Sequence, residues 1–155
     1  MFMGNLYPSA LRRTCTLESN KHDSGRRRIL YCVNGQYLEI ADNGHVRGTS
    51  DKRSPYAVLE LAPVARDLIH IKGVHTGFYL AVNKHGHVYT TETINEECIF
   101  REKLTRNFYD KYCSYKHSQK DLALGVMRTG AAVIASKMTG SYKEYENQFI
   151  TKKLF

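Results

Sequence analysis

The 155 residues, 17.8 kDa in all, fit one compact domain and leave no room for a two-domain cofactor enzyme. With 42% hydrophobic and 25% charged residues the chain can bury a core, and no apolar run approaches the roughly 18 residues of a membrane helix, so no membrane insertion is expected. The formal charge of +8 divides into +4 over residues 1–28, −1 over 29–104 and +5 over 105–155; if the fold brings the ends together they form a positive surface for a polyanion, and otherwise they serve solubility.

Residues 1–28 lack apolar periodicity and end in Arg26, Arg27 and Arg28, which predicts a flexible basic arm ahead of a packed unit over residues 29–155. The first residues have no basic start followed by an apolar stretch, so no secretory signal is expected, and no Asn-x-Ser/Thr sequon occurs. That leaves a cytosolic chain, export by another route, or a leader outside this sequence. Eleven Tyr, six Phe, eleven Gly and no Trp suit short strands joined by tight turns, so the chain reads as all-β.

From Ile29 onward one unit recurs. Tyr37-Leu38-Glu39-Ile40, three residues and Gly44 are matched by Tyr79-Leu80-Ala81-Val82, three residues and Gly86, and again by Ala123-Leu124-Gly125-Val126, three residues and Gly130. Each copy reads as a strand, a turn whose glycine takes a positive φ, and a return strand. Lead-in strands are expected at Ile29 to Cys32, Leu68 to Ile71 and Phe108 to Cys113, and closing strands at Tyr56 to Leu61, Cys98 to Phe100 and Gln148 to Ile150. Four strands in each of three pseudo-repeats make twelve, and threefold closure that removes exposed edges describes a β-trefoil.

The chemistry-bearing residues favour structural readings. Cys98 lies in an apolar strand, which suits a buried thiol better than a nucleophile, and Cys32 is expected to be buried likewise; Cys15 falls in the arm and Cys113 stays open. His85 and His87 flank a turn glycine with no third ligand at metal-site spacing, and Asp42-Asn43-Gly44 is turn chemistry. No phosphate loop, nucleophile elbow or His-Glu-x-x-His occurs, so neither an enzyme nor a cofactor is expected.

Leu30-Tyr31-Cys32-Val33-Asn34-Gly35, Gly48-Thr49-Ser50-Asp51, Ile71-Lys72-Gly73-Val74, Gly77 to Asn83, Glu97 to Glu102 and Asn107 to Tyr112 together resemble the fibroblast growth factors, strongly over residues 28–130 and more weakly beyond. The Gln-x-Trp repeat of ricin-type sugar-binding trefoils is missing. The resemblance implies a secreted mitogen, closest in motifs to the paracrine branch, that joins heparan sulfate to a receptor tyrosine kinase ectodomain. It would be a monomer that is dimerised on receptor and heparin, with no nucleic-acid partner.

The positions matching the family's heparan sulfate site are Asn34, Arg128, Lys137 and Lys143, and those matching its receptor face are Tyr31, Asn107, Tyr109 and Ile150. For the basic residues the competing role is an ordinary solvated charge, and for Tyr31 it is core packing. Several residues depart from the family pattern. Val133 and Ala131 stand where many members are polar or basic, Glu144 and Glu146 add negative charge, Thr105 replaces a receptor-contacting Glu, and Thr151 replaces a frequent Pro. Two other readings are an intracellular homologous factor that binds ion channels or scaffold proteins, and a cytokine-like trefoil that needs no polyanion.

Overall fold

The computed structural model describes residues 26–137 and 145–154, and across them the regular structure is β with short 3-10 turns. The strands are β1 Arg27–Cys32, β2 Tyr37–Ile40, β3 Val46–Thr49, β4 Leu59–Ala65, β5 Leu68–Gly73, β6 Tyr79–Val82 and β7 Val88–Thr91. They continue as β8 Ile99–Leu104, β9 Asp110–Ser114, β10 Leu122–Met127, β11 Val133–Lys137, β12 Tyr145–Glu146 and β13 Phe149–Lys153.

Antiparallel pairings of β1 with β4, β4 with β5, β5 with β8, β8 with β9, β9 with β13 and β13 with β1 close a barrel that has no free edge. A hairpin is joined to the first strand of each repeat through an equivalent pair: Tyr31 opposite Tyr37, Lys72 opposite Tyr79 and Cys113 opposite Ala123. This is the β-trefoil. The twelve expected strands are present, and β12 is a two-residue addition that pairs with β10.

The repeat residues build the centre of the core. Leu38, Leu80 and Leu124 are fully buried, as are Ile40, Val82 and Val126 two positions along each strand, the spacing that keeps side chains on one face. Their hairpin partners are equivalent too, with Gly48, Thr90 and Ala135 opposite the three leucines.

The three hairpins are also linked in a ring by their turn glycines. Gly44, Gly86 and Gly130 adopt φ of +83°, +81° and +79°, where a side chain is strained. Each carbonyl accepts from the next hairpin: Gly44 from the Thr90 hydroxyl at 2.8 Å, Gly86 from the Ala135 amide at 3.2 Å, and Gly130 from the Gly48 amide at 2.9 Å. At Gly86 a Cβ would lie 2.6 Å from the Ala135 carbonyl oxygen, so close packing requires glycine there as much as backbone conformation does.

The structure differs from the sequence reading at element ends. β1 starts at Arg27, which brings Arg27 and Arg28 into the sheet opposite Glu60 and Leu59. The closing strand expected from Tyr56 starts at Leu59, because Ser54 caps a 3-10 turn over Pro55–Ala57 by accepting from the Tyr56 amide. Asn95 likewise caps Glu96–Cys98, so the second closing strand begins at Ile99. The third lead-in strand begins at Asp110, since Phe108 sits in a turn at φ +66°.

Candidate functional surface

Ile150 on β13 faces Tyr31 on β1, and Phe149 on β13 faces Asp110 on β9. Carrying the second register one residue further sets Tyr109 against the other flank of Ile150. Tyr31 and Ile150 thus lie on the face of β1 and β13 opposite the core, because their neighbours Leu30, Cys32 and Phe149 are the buried ones, and half-buried Tyr109 continues the row from the turn just ahead of β9.

Tyr31 is half-buried, with its ring 4.7 Å from that of Tyr37 and the Lys152 ammonium 4.8 Å above it. The main cluster is built without it, which removes core packing as its role. Ile150 is 42% exposed.

The turn between β8 and β9 carries the remaining member of this set, Asn107, which is exposed. Thr105 closes that turn: its amide donates to the Tyr109 carbonyl at 2.8 Å and its hydroxyl accepts from the Tyr109 amide at 3.1 Å. The hydroxyl at position 105 therefore helps to position Tyr109. The turn also presents two apolar side chains that sequence reasoning did not single out, Leu104 at 65% and Phe108 at 80% exposed. The available signal was the hairpin tip itself, where strand alternation no longer buries an apolar residue.

The second set gathers only in part. Asn34, in the turn after β1, donates from its side-chain amide to the Val126 carbonyl at 2.9 Å and accepts from the Gln36 amide at 3.3 Å. Gln36 in turn donates to the Arg128 carbonyl at 3.2 Å, so the β1–β2 and β10–β11 turns are stitched together and Asn34 and Arg128 lie at one place. Lys137 is exposed at the far end of the β10–β11 hairpin, opposite Leu122, whereas Arg128 follows the end marked by Val126 opposite Val133. Lys143 and Glu144 lie outside the described residues. Val133 is 5% exposed within the core, which explains why no charge stands there.

Other reactive groups are held by the structure. Cys32, Cys98 and Cys113 are buried, and burial pushes all three thiols above the usual range, away from nucleophilic use. The His85 and His87 rings are 6.1 Å apart at an exposed turn, and no cluster of three metal-ligating side chains forms among the described residues. A cavity of about 620 Å³ opens between the hairpin turns, lined by His45, His87, Tyr89, Thr90 and Val133 among others; the His45 ring meets the Ala131 carbonyl there at 3.2 Å.

Beside that end a polar cluster fixes the second 3-10 turn. Glu97 is bonded to the Tyr89 hydroxyl and the His117 ring, each at 2.6 Å. Burial pushes the Glu97 carboxyl up, but these bonds outweigh it and hold the group below its ordinary value, while Tyr89, desolvated and donating to Glu97, rises to about 12.

Comparison with known proteins gives a consistent result. The sequence profile of the family described as fibroblast growth factor matches residues 26–150. The chain is 40% identical to fibroblast growth factor 1 of Xenopus laevis, over 71% of this chain and 72% of that protein. It is 36% identical to fibroblast growth factor 1 of Cynops pyrrhogaster, over 72% of this chain and 76% of that one. It is also 36% identical to fibroblast growth factor 7 of Canis lupus familiaris, over 72% of this chain and 59% of that one.

Proposed function

The chain belongs to the fibroblast growth factor family, and from that premise we propose that it is a secreted ligand that binds heparan sulfate and a receptor tyrosine kinase ectodomain together and thereby dimerises the receptor. Its class is that of a growth factor, not an enzyme. The observation that carries the reading is the pairing of Tyr31 and Ile150 on closed barrel strands, continued by Tyr109 in the turn that leads into β9, an apolar and aromatic surface. Such rigid aromatic groups supply large contact area at low entropy cost, the character of an interface anchor. Asn107, exposed at the adjoining turn, extends the same face.

Asn34 and Arg128 support the polysaccharide contact, with Lys137 and Lys143 as its further cations. Fixed sulfates are met by guanidinium, ammonium and amide donors, and Asn34 keeps its second amide hydrogen for that purpose after binding the Val126 carbonyl. The protein acts as a monomer that pairs only on receptor and polysaccharide, and it leaves the cell by an unconventional route or with a leader outside this sequence.

The deciding experiment adds the purified full-length protein to intact receptor-bearing cells, with and without enzymatic removal of heparan sulfate, and reads receptor tyrosine phosphorylation. Phosphorylation that falls when the polysaccharide is removed supports the proposal. No phosphorylation from outside overturns it in favour of an intracellular role, and phosphorylation indifferent to the polysaccharide overturns the heparan sulfate part.

A further inference from the structure

The β8–β9 hairpin sorts its charged side chains by face. Phe100 opposite Ser114, Glu102 opposite Tyr112 and Leu104 opposite Asp110 share one face, and since Phe100 and Tyr112 are core residues, that face is the inner one. Arg101 opposite Cys113 and Lys103 opposite Lys111 therefore belong to the outer face.

Lys103 and Lys111 are like charges directly across a ladder, an arrangement that costs stability unless something compensates it. Among the described residues neither makes an ion pair, whereas Arg47 and Lys116 have Glu39 and Glu96 at 2.6 and 2.5 Å. Arg101 lies over the Tyr115 ring, its guanidinium carbon 5.5 Å from the centroid, a cation–π contact that does not neutralise its charge. Arg106 adds an exposed cation at the hairpin tip, and the Asp67 carbonyl accepts from the Glu102 amide at 2.9 Å, which brings the turn bearing exposed Arg66 alongside β8.

Two titratable groups, half-buried Glu102 and buried Cys113, register the same sorting. Burial dominates the titration of both and raises it; beyond it Glu102 senses the Tyr112 hydroxyl, Asp110, Asp67 and Arg28, while Cys113 senses Lys103, Lys111 and Arg101 against the acid Asp121.

We propose that the outer face of β8 and β9, through Arg101, Lys103 and Lys111, is a second binding stripe for a sulfated polysaccharide. It lies on different strands from Asn34, Arg128 and Lys137. Its ligand class is shared with the proposed function and in that respect rests on it. A hydrated polyanion fits the centre of the stripe better than an acidic protein segment, because Ile99 and Cys113 are buried there and Tyr115 lies beneath Arg101; the exposed Leu104 and Phe108 stand at the tip end of the hairpin, beyond the Lys103–Lys111 rung. A linear chain of sulfates lying along Arg101 and the Lys103–Lys111 rung would relieve the like-charge repulsion and release its own counterions.

The test is a lysine footprint on the full-length wild-type protein. A short acetylation pulse is given without additive, with heparin, or with polyglutamate at equal charge, and each lysine is mapped by mass spectrometry. The stripe predicts several-fold slower labelling of Lys103 and Lys111 with heparin, reversed by salt, and little protection by polyglutamate. It also predicts that Lys103→Gln with Lys111→Gln lowers the log–log salt slope of heparin binding by about 1–2, both in the wild type and in an Arg128→Gln, Lys137→Gln background.

Protection of Lys137 with unchanged labelling of Lys103 and Lys111 overturns the stripe and leaves the proposed function standing. Protection of no lysine overturns both. Equal protection by polyglutamate also overturns the stripe, because it identifies a nonspecific or protein-binding surface.

Discussion

Tyr31 and Ile150 face each other across β1 and β13, with the Tyr31 ring held between Tyr37 and the Lys152 ammonium. A side chain braced on two flanks loses little freedom on binding, so this pair and Tyr109 should dominate the receptor contact. Tyr109→Ala is expected to weaken ectodomain binding by about 1–2 kcal/mol, measured by calorimetry or surface capture, while heparin affinity stays the same. Equal loss of both would mean that the turn had unfolded or that the receptor face is elsewhere.

Asn34 should behave unlike Arg128 and Lys137. Its amide joins two repeats through the Val126 carbonyl, 92 residues away, so Asn34→Ala should lower thermal stability by about 1–2 kcal/mol in addition to any loss of heparin affinity. Replacing Arg128 and Lys137 by Gln should reduce affinity and salt slope with no shift in the melting temperature. Thermal melts beside heparin elution at several salt concentrations separate the cases, and an unaltered melt for Asn34→Ala would show the bond to be energetically silent.

His70 gives the domain a dependence on mild acid. Burial lowers its pKa to about 4 in the fold against 6.5 when unfolded, so the neutral ring is the native form. The contribution is fully present above pH 6.5 and is lost as pH falls toward 4, because the unfolded chain takes up the proton first; the loss reaches about 3 kcal/mol. Urea melts at pH 7.5 and 5 should show it, and His70→Gln should flatten the difference. An identical pH dependence in wild type and variant would assign the effect to other groups.

Two glycines distinguish strain from crowding. Gly77 and Gly86 have nearly the same φ, +80° and +81°, but a Cβ at Gly77 meets nothing within 4 Å whereas one at Gly86 meets the Ala135 carbonyl oxygen at 2.6 Å. Gly77→Ala should cost about 1–2 kcal/mol from backbone strain alone. Gly86→Ala should cost clearly more, comparable to the about 2–5 kcal/mol of a buried Leu80→Ala truncation. Denaturant melts of the three variants give the ranking, and equal costs at the two glycines would contradict the close packing of the hairpin ring.

Native labelling with a thiol reagent should spare Cys32, Cys98 and Cys113, all buried, until denaturant opens the fold. Rapid modification of Cys98 without denaturant would mean that the second repeat opens locally.

The repeated Leu and Ile or Val positions made the trefoil legible, since a core shared by three copies forces the same side chains inward at the same spacing. The third copy was harder to read because its hairpin is one residue longer, with Met127 bonding to Ala132 where Ala41 and Asn83 bond to His45 and His87. The 3-10 turn capped by Ser54 was hidden in the apolar run from Tyr56, while the one capped by Asn95 takes only Cys98 from the expected strand. Cross-strand facts were out of reach: nothing in the spacing of Lys103 and Lys111 reveals that they face each other, or that Ile150 lies beside Tyr31, because register is a property of the closed barrel.

Because each hairpin rests its turn glycine on another hairpin, none completes its contacts until the other two are in place, and the link from Gly48 to Gly130 joins the first repeat to the last. Chain entropy must therefore be surrendered well before the contacts that offset it are gained, so folding is slow for a chain of this length. Where the ring is still open at the transition state, its contacts hold the native form without speeding its formation. The lifetime of the folded molecule is then set by the rate at which the ring first breaks, and that rate can be low even when the equilibrium stability is modest.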